Sequence, residues 1–192
     1  MPDQTLGQLL TGLVPGLLLL VAGVGHLAAP RVLISDLRRQ ALLGETMVGP
    51  TAFALPVAEM GAGVGAVIAV AGRLPTSAAT LAHLVVTVLY VAFTGYAIVL
   101  LRRADDERVP CGCSPTGADV TGLVPLRAGV LAALALVAAT TAPSLTGATG
   151  PELTVTWLAA ATFVVLLWTA PSALETYRPY ATIEEGAHVV HR

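Results

Sequence analysis

Charge is scarce in this sequence. Only 11% of the 192 residues are charged and 5% are aromatic, whereas 55% are hydrophobic. A soluble domain carries roughly 25% charged residues, so this composition lacks the charge that keeps a globular protein in water. The mean hydropathy of +0.79 points the same way. The sequence therefore predicts that the lipid bilayer is the solvent for most of the chain.

Lysine is absent, so the 10 basic residues are all arginine, against 12 acidic residues and a formal net charge of −2. Such a balance has no basic patch of the kind that binds nucleic acid, and a nucleic-acid partner is excluded. The first five residues contain Asp3 and no positive residue. We therefore interpret the first apolar run as a membrane helix and not as a signal peptide.

Long apolar runs fill most of the chain. Crossing about 30 Å of hydrocarbon takes about 20 mostly apolar residues in a helix. Five runs reach or approach this length, at residues 6–29, 51–71, 77–101, 123–142 and 153–170. They predict an all-α, polytopic membrane helix bundle within residues 1–175, followed by a polar C-terminal tail at 176–192. The connection at residues 31–49 mixes apolar and charged residues, a pattern that favours an amphipathic helix at the membrane interface.

Small residues recur at a spacing of four in two of these runs. Gly12 and Gly16 lie in the first run, and Gly61 and Gly65 in the second. This spacing is typical of helices whose backbones approach closely in lipid, so we expect a compact bundle.

Arginines are concentrated in the loops after the first and third runs and in the tail. Loops rich in arginine are usually cytoplasmic. The distribution therefore predicts a multi-pass protein with its N-terminus outside and its C-terminus in the cytoplasm.

Both cysteines, Cys111 and Cys113, lie in the segment VPCGCSPTG between the third and fourth runs. Two extended residues span at most about 7 Å, and a disulfide needs Cα atoms about 4.4–6.8 Å apart, so a slightly folded pair can close into a strained bridge. Strain makes a bridge easier to reduce, and we interpret the pair as a thiol–disulfide centre. Two unrelated structural thiols, or part of a metal site, are the alternatives; two cysteines alone do not complete a structural zinc site, and no metal is assigned.

Ionisable residues within apolar runs are costly and are functional candidates by default. His26 lies near the end of the first run, Glu59 in the second and Arg127 near the start of the fourth. The alternating direction of the runs brings all three toward the membrane face of the CxC pair. We predict that Arg127 pairs with Glu59, either as a structural ion pair or with Arg127 stabilising a cysteine thiolate while Glu59 or His26 moves the proton.

A polar stripe runs along the third helix. His83, Thr87, Tyr90 and Thr94 are four, three and four residues apart, which places them on one helix face. We expect this face to point into the bundle, where hydrogen bonds between helices would explain it. The alternative is that His83 and Tyr90 line a pocket for a quinone cofactor or a proton path.

The sequence resembles the methylamine-utilisation protein MauE family of the DoxX-like membrane proteins. The resemblance rests on Glu59 within LPVAEMGAG, the CGC at residues 111–113 and Arg127 within LRAGVLAAL, and it spans most of residues 6–142. It implies a small, redox-associated protein of the bacterial inner membrane. The family is thought to help mature the disulfide-rich small subunit of methylamine dehydrogenase alongside a thioredoxin-like partner.

Two features depart from the family pattern. Members often continue C-x-C-F-G, whereas Ser114 and Pro115 follow here, and His26 stands where a lysine is expected near the end of the first helix. A relative without a methylamine pathway would keep the redox chemistry and change its client.

The leading hypothesis is a membrane thiol–disulfide protein that exchanges electrons with a thioredoxin-like protein or an extracytoplasmic client. This chemistry would make it a thiol–disulfide oxidoreductase or an electron-transfer partner. A non-enzymatic membrane assembly factor and a carrier for a small molecule or a soft metal ion remain alternatives. A nucleophilic hydrolase is unsupported, because no serine or cysteine motif has matching His and Asp context.

Overall fold

The structure, a computed structural model, describes residues 6–103 and 121–176. Within these two ranges it contains six helices and no strand. The helices are α1 (Leu6–Ala28), α2 (Pro30–Gln40), α3 (Glu45–Val70), α4 (Thr76–Arg103), α5 (Leu123–Thr141) and α6 (Gly150–Thr176). The predicted all-α fold is confirmed. The segment that carries Cys111 and Cys113 and the tail from residue 177 onward lie outside the described residues.

Five helices, all except α2, are long and apolar enough to cross a membrane. Their outer surfaces carry large apolar side chains that water would not favour: Phe53 is 72% exposed, Val88 66% and Leu158 64%. Exposed apolar area costs about 25 cal/mol per Å² in water and nothing comparable in lipid. The protein is therefore a multi-pass membrane protein, and the predicted polytopic bundle is confirmed.

Helix α1 lies at the centre of the bundle. It packs extensively against α3, α5 and α6, while α3, α4 and α5 contact one another in sequence around it. Half of the α1 span is buried inside the protein, against 17% of the α6 span. The central helix therefore meets the protein on most sides, whereas α6 is left mainly to lipid.

Helices α1 and α3 approach closely at glycines. A Cβ atom added to Gly63 would lie 2.6 Å from the carbonyl oxygen of Gly16, and one added to Gly16 would lie 2.9 Å from Cβ of Ala66. The predicted glycine pair of α1 is therefore at a helix contact. On α3 the glycine at the contact is Gly63, whereas Gly61 has no neighbour within 4 Å, because spacing alone does not say which face of a helix meets its neighbour.

Helix α2 is the amphipathic helix expected after the first span. Its proline, Pro30, stands at the start of the helix, where a missing N–H costs no hydrogen bond. Leu33 and Leu37 are buried against Val48 and Ala52 of α3, while the three arginines of α2 are exposed. The apolar face of α2 is thus covered by protein.

Two helices are longer than the sequence predicted. Helix α3 begins at Glu45, not at Thr51, and continues through Pro50; helix α6 continues past Pro171 to Thr176. A proline inside a helix removes one N–H and leaves the carbonyl four residues earlier without its helical donor. For Pro171 that carbonyl belongs to Leu167, and another side chain supplies the missing donor.

A cavity at the junction of the helices

A cavity of about 300 Å³ lies among α1, α3, α4 and α5, and residues of α2 and α6 complete its wall. Most of the wall is aliphatic or aromatic. Polar side chains from each of the four central helices line it, among them the predicted site residues His26, Glu59, Tyr90 and Arg127. The sequence predicted that His26, Glu59 and Arg127 converge, and the structure brings them together around this cavity.

Glu59 and His26 form a buried polar contact in the wall of the cavity. Oε2 of Glu59 lies 3.7 Å from Nε2 of His26, and the side chains are 4% and 11% exposed. The distance suits an ion pair but exceeds a hydrogen bond, and Oε2 of Glu59 has no hydrogen-bond partner. A buried carboxyl oxygen without a hydrogen-bond partner destabilises the folded protein by about 1–3 kcal/mol or more. A group that donates a hydrogen bond to this oxygen would remove that cost.

Glu59 lies deeper than the sequence suggested. It follows the first residue of α3, Glu45, by fourteen positions, which is about 21 Å along the helix axis at 1.5 Å per residue. The sequence analysis placed it about eight residues into its helix. The earlier start of α3 therefore moves Glu59 to the middle of the helix, away from either end.

The predicted pairing of Arg127 with Glu59 is wrong. Nη1 of Arg127 donates a 2.8 Å hydrogen bond to the carbonyl oxygen of Leu167 in α6, and the acidic partner of His26 is Glu59. Leu167 is the residue whose helical donor is missing because residue 171 is a proline. Arg127 therefore donates a hydrogen bond to the carbonyl that lacks a backbone donor because residue 171 is a proline. This bond links α5 to α6 at the edge of the cavity.

Tyr90 connects α4 to α1. Its hydroxyl donates a 3.0 Å hydrogen bond to the carbonyl oxygen of Pro15, and its ring meets Phe93 edge to face with centroids 6.2 Å apart. Thr87 and Thr94 of the same stripe instead donate to carbonyls of their own helix, those of His83 and Tyr90. Of the predicted stripe, only Tyr90 makes a hydrogen bond between helices in the described ranges.

His83 lies away from the cavity. It is 1% exposed, and neither ring nitrogen has a hydrogen-bond partner within the described chain. Its Cε1 atom packs near Gly12 of α1, where an added Cβ would come within 3.1 Å. The sequence suggested that His83 and Tyr90 line one pocket. In the structure Tyr90 lines the cavity, whereas His83 is packed seven residues nearer the start of α4.

Four polar residues that line the cavity were not predicted from the sequence: Asp36 and Gln40 of α2, Thr51 of α3 and Tyr96 of α4. The hydroxyl of Tyr96 donates a 2.6 Å hydrogen bond to Oε1 of Gln40. Asp36 is 7% exposed, and burial raises the pKa of its carboxyl above the ordinary 3.8, an effect that the Arg39 guanidinium opposes. A signal was present, because Leu33, Asp36, Leu37 and Gln40 share one helical face.

The helix ends on either side of the cysteine segment belong to the cavity wall. Leu100, in the last turn of α4, and Val124, in the first turn of α5, both line it. Cys111 and Cys113 lie in the chain between these turns, at positions outside the described residues.

The family described as methylamine utilisation protein MauE matches residues 4–141 of the chain. The chain belongs to the MauE family. Comparison with curated proteins and with solved structures finds no match. The suspected family assignment is thus confirmed over most of the chain.

The match to the MauE family extends through α1 to α5 and ends before α6 begins at Gly150. His26, Glu59, Tyr90 and Arg127 all fall inside it, as do both cysteines. Leu167 and Trp168 fall outside it, although one accepts the hydrogen bond of Arg127 and the other lines the cavity. In this MauE-family protein, α6 therefore completes a cavity that the matched region builds.

Chemically, the cavity pairs a carboxyl with an imidazole in apolar surroundings. Each of these two groups can hold or release a proton, and their side chains are 4% and 11% exposed. Across residues 6–103 and 121–176, no cluster of three or more His, Cys, Asp or Glu residues could hold a metal ion. The described side chains are thus arranged for moving protons and for holding an apolar molecule.

Proposed function

We propose that this protein is an integral-membrane thiol–disulfide redox protein that supports disulfide formation in extracytoplasmic proteins. Cys111 and Cys113 alternate between a dithiol and a disulfide. In the oxidising direction a partner thiolate attacks the Cys111–Cys113 disulfide to form a mixed disulfide and release one cysteine thiolate, and the partner's second thiolate resolves the mixed disulfide, which leaves the partner oxidised and both cysteines reduced. The partner class is a thioredoxin-like protein. Membership of the MauE family suggests a cysteine-rich client of methylamine utilisation.

The observation that carries the proposal is that the helix turns before and after the CGC segment both line the cavity. Leu100, in the last turn of α4, and Val124, in the first turn of α5, line the same wall as Arg127 and Glu59. A guanidinium near a thiol favours the thiolate, which is the reactive form. A buried carboxyl and imidazole supply places for the proton that a thiol loses.

The arginine distribution bears on the direction of electron flow. In the helical order of the structure, the ends of α1, α4 and α6 lie on the same side, and so do the arginines of α2 and of the α4 terminus. If that side is cytoplasmic, the pair meets a reducing compartment and passes reducing equivalents outward. If it is extracytoplasmic, the pair exchanges with its client directly.

Alkylation with a membrane-impermeant thiol reagent tests which side of the membrane the cysteine pair faces and whether the pair is oxidised. Intact cells are treated before and after reduction, with Cys111→Ser/Cys113→Ser as the control that cannot be labelled. Labelling from outside only after reduction indicates an oxidised, outward-facing pair; labelling only after lysis indicates a cytoplasmic pair.

The redox proposal itself is tested by equilibrating the purified protein over a range of glutathione ratios. We expect mass spectrometry to show a loss of two hydrogens that titrates as a single unit. If Cys111 and Cys113 are never linked at any ratio and the double serine variant retains function, the protein is an assembly factor and not a redox protein.

A further inference from the structure

Glu59 makes the cavity more than a packing defect. Its residue is 3% exposed, it lines the cavity, and its Oε2 has no hydrogen-bond partner. A hydrocarbon occupant, such as a lipid tail, would leave that oxygen without a hydrogen-bond partner. The site therefore calls for an occupant that is mostly apolar and carries an oxygen able to share a hydrogen bond with a carboxyl group.

The size of the cavity narrows the class of occupant. At about 300 Å³ it stands at the lower end of pockets that hold small molecules, which run from about 300 to 1,000 Å³. A ring system fits such a volume, whereas a whole phospholipid does not. The aromatic rings of Phe93, Tyr96 and Trp168 in the wall provide flat apolar surfaces for a planar ring.

The Glu59 and His26 pair adds a requirement for both donor and acceptor behaviour. With a proton on either group, the pair donates a hydrogen bond; without it, the Glu59 carboxylate accepts one. A ligand whose oxygens are carbonyls in one state and hydroxyls in the other matches both states of the pair. Quinones and quinols are membrane-soluble molecules with this property.

We propose that the cavity binds a membrane quinone, with the Glu59 and His26 pair exchanging protons with the quinone oxygens. The proposal rests on the redox function proposed above for Cys111 and Cys113. When bound, the quinone supplies a two-electron, two-proton acceptor. The two thiols lose two electrons and two protons as one S–S bond forms, and the quinone gains the same two electrons and two protons to become a quinol, so that the step balances.

The two tryptophans of the chain provide a matched pair of reporters. Trp168 lines the cavity, and Trp157, on the same helix, does not and is 37% exposed. Trp157→Phe leaves Trp168 as the reporter of the cavity, and Trp168→Phe leaves Trp157 as the reporter of the lipid surface. Decylubiquinone titrated into each variant of the full chain in detergent micelles should quench Trp168 with a saturable curve and Trp157 only in proportion to its partitioning.

Two further substitutions test the cavity itself, each made in the Trp157→Phe background. Glu59→Leu keeps roughly the size of the side chain but can neither donate nor accept a hydrogen bond, and we expect decylubiquinone affinity to fall about tenfold or more. Ala22→Leu places a larger side chain in the wall and should abolish saturable quenching. Thermal unfolding of both variants shows whether the bundle has folded, so that a lost signal is read only from folded protein.

The result that overturns the proposal is quenching of Trp168 that stays linear in quinone, or saturable quenching that folded Glu59→Leu and Ala22→Leu leave unchanged. Failure of the redox function gives a different pattern. In that case Cys111→Ser/Cys113→Ser binds decylubiquinone as the parent does, and the reduced parent consumes no quinone under anaerobic conditions. If the cysteines are linked by diamide while quinone binding is absent, the quinone site fails and the redox function stands.

Discussion

The half of the bundle with the cavity and the half beyond it are built from the same helices but are filled by different residues. The cavity half comprises residues 18–26 of α1, 51–59 of α3, 90–100 of α4 and 124–131 of α5. The packed half comprises 6–16 of α1, 63–70 of α3, 76–86 of α4 and 132–141 of α5. In the packed half, a Cβ added to Gly12 would lie 2.6 Å from Val70 and 3.1 Å from both His83 and Pro143.

The difference teaches how a small bundle keeps an open site. Glycine and alanine bring helices into contact in the packed half, where van der Waals packing holds them together in lipid. In the cavity half, long polar side chains keep the helices joined at their edges: Tyr90 reaches α1 and Arg127 reaches α6. The packed half therefore supplies rigidity, and the hydrogen bonds hold the cavity in shape.

The largest effect should come from filling the packed half. Gly63→Leu would force a side chain into the carbonyl of Gly16, 2.6 Å from the position of its Cβ, and overpacking of this kind costs about 3 kcal/mol or more. Gly61→Leu, two residues away with no neighbour within 4 Å, is the matched control. Unfolding in a series of SDS mole fractions should show a large loss in the free energy of unfolding for Gly63→Leu and little loss for Gly61→Leu. Equal losses for the two variants would mean that α1 and α3 do not meet at Gly63.

The next effect concerns the bond that joins α5 to α6. Arg127→Met leaves the Leu167 carbonyl without a donor, which should lower the free energy of unfolding by about 1–3 kcal/mol. Pro171→Ala restores a backbone N–H for that carbonyl. We therefore expect Arg127→Met to cost at least about 1 kcal/mol less when Pro171→Ala is also present, as a double-mutant cycle would show. Additive effects would contradict this role of Arg127.

A smaller effect should follow from Tyr90→Phe, which removes the hydroxyl that bonds to Pro15 between α4 and α1. The loss should be about 1 kcal/mol. Thr94→Val is the comparison, since the Thr94 hydroxyl bonds within its own helix. Thermal unfolding should therefore rank Tyr90→Phe as the more damaging change; the reverse order would argue against Tyr90 as a link between helices.

The smallest effect should be the pH dependence contributed by Asp36. Burial raises the pKa of this carboxyl in the folded protein, so the folded state binds the proton more tightly than the unfolded state. The stabilisation is complete below the ordinary pKa of 3.8 and is lost as pH rises through the higher folded pKa. Asp36→Asn should therefore flatten the pH dependence of the free energy of unfolding across this window, and an unchanged pH dependence would contradict this role of Asp36.

Composition and run length alone determined that this chain is a helical membrane protein. Twenty apolar residues in succession can satisfy their backbone polar groups in lipid only as a helix, so the five spanning helices follow from local sequence. The convergence of His26, Glu59 and Arg127 also followed from the sequence, because the alternating direction of spans fixes which helix ends share a side. Membership of the MauE family was readable from the same stretches.

Only the tertiary structure decided which of these groups contact one another. Arg127 bonds to Leu167 because Pro171, 44 positions later in the chain, orphans that carbonyl, and Glu59 is left beside His26. The rotation of the helices against each other also decides which face of α3 meets α1. It likewise decides that Asp36 and Gln40 line the cavity. Helical periodicity places residues on a common face, but the packing of neighbouring side chains chooses where that face points.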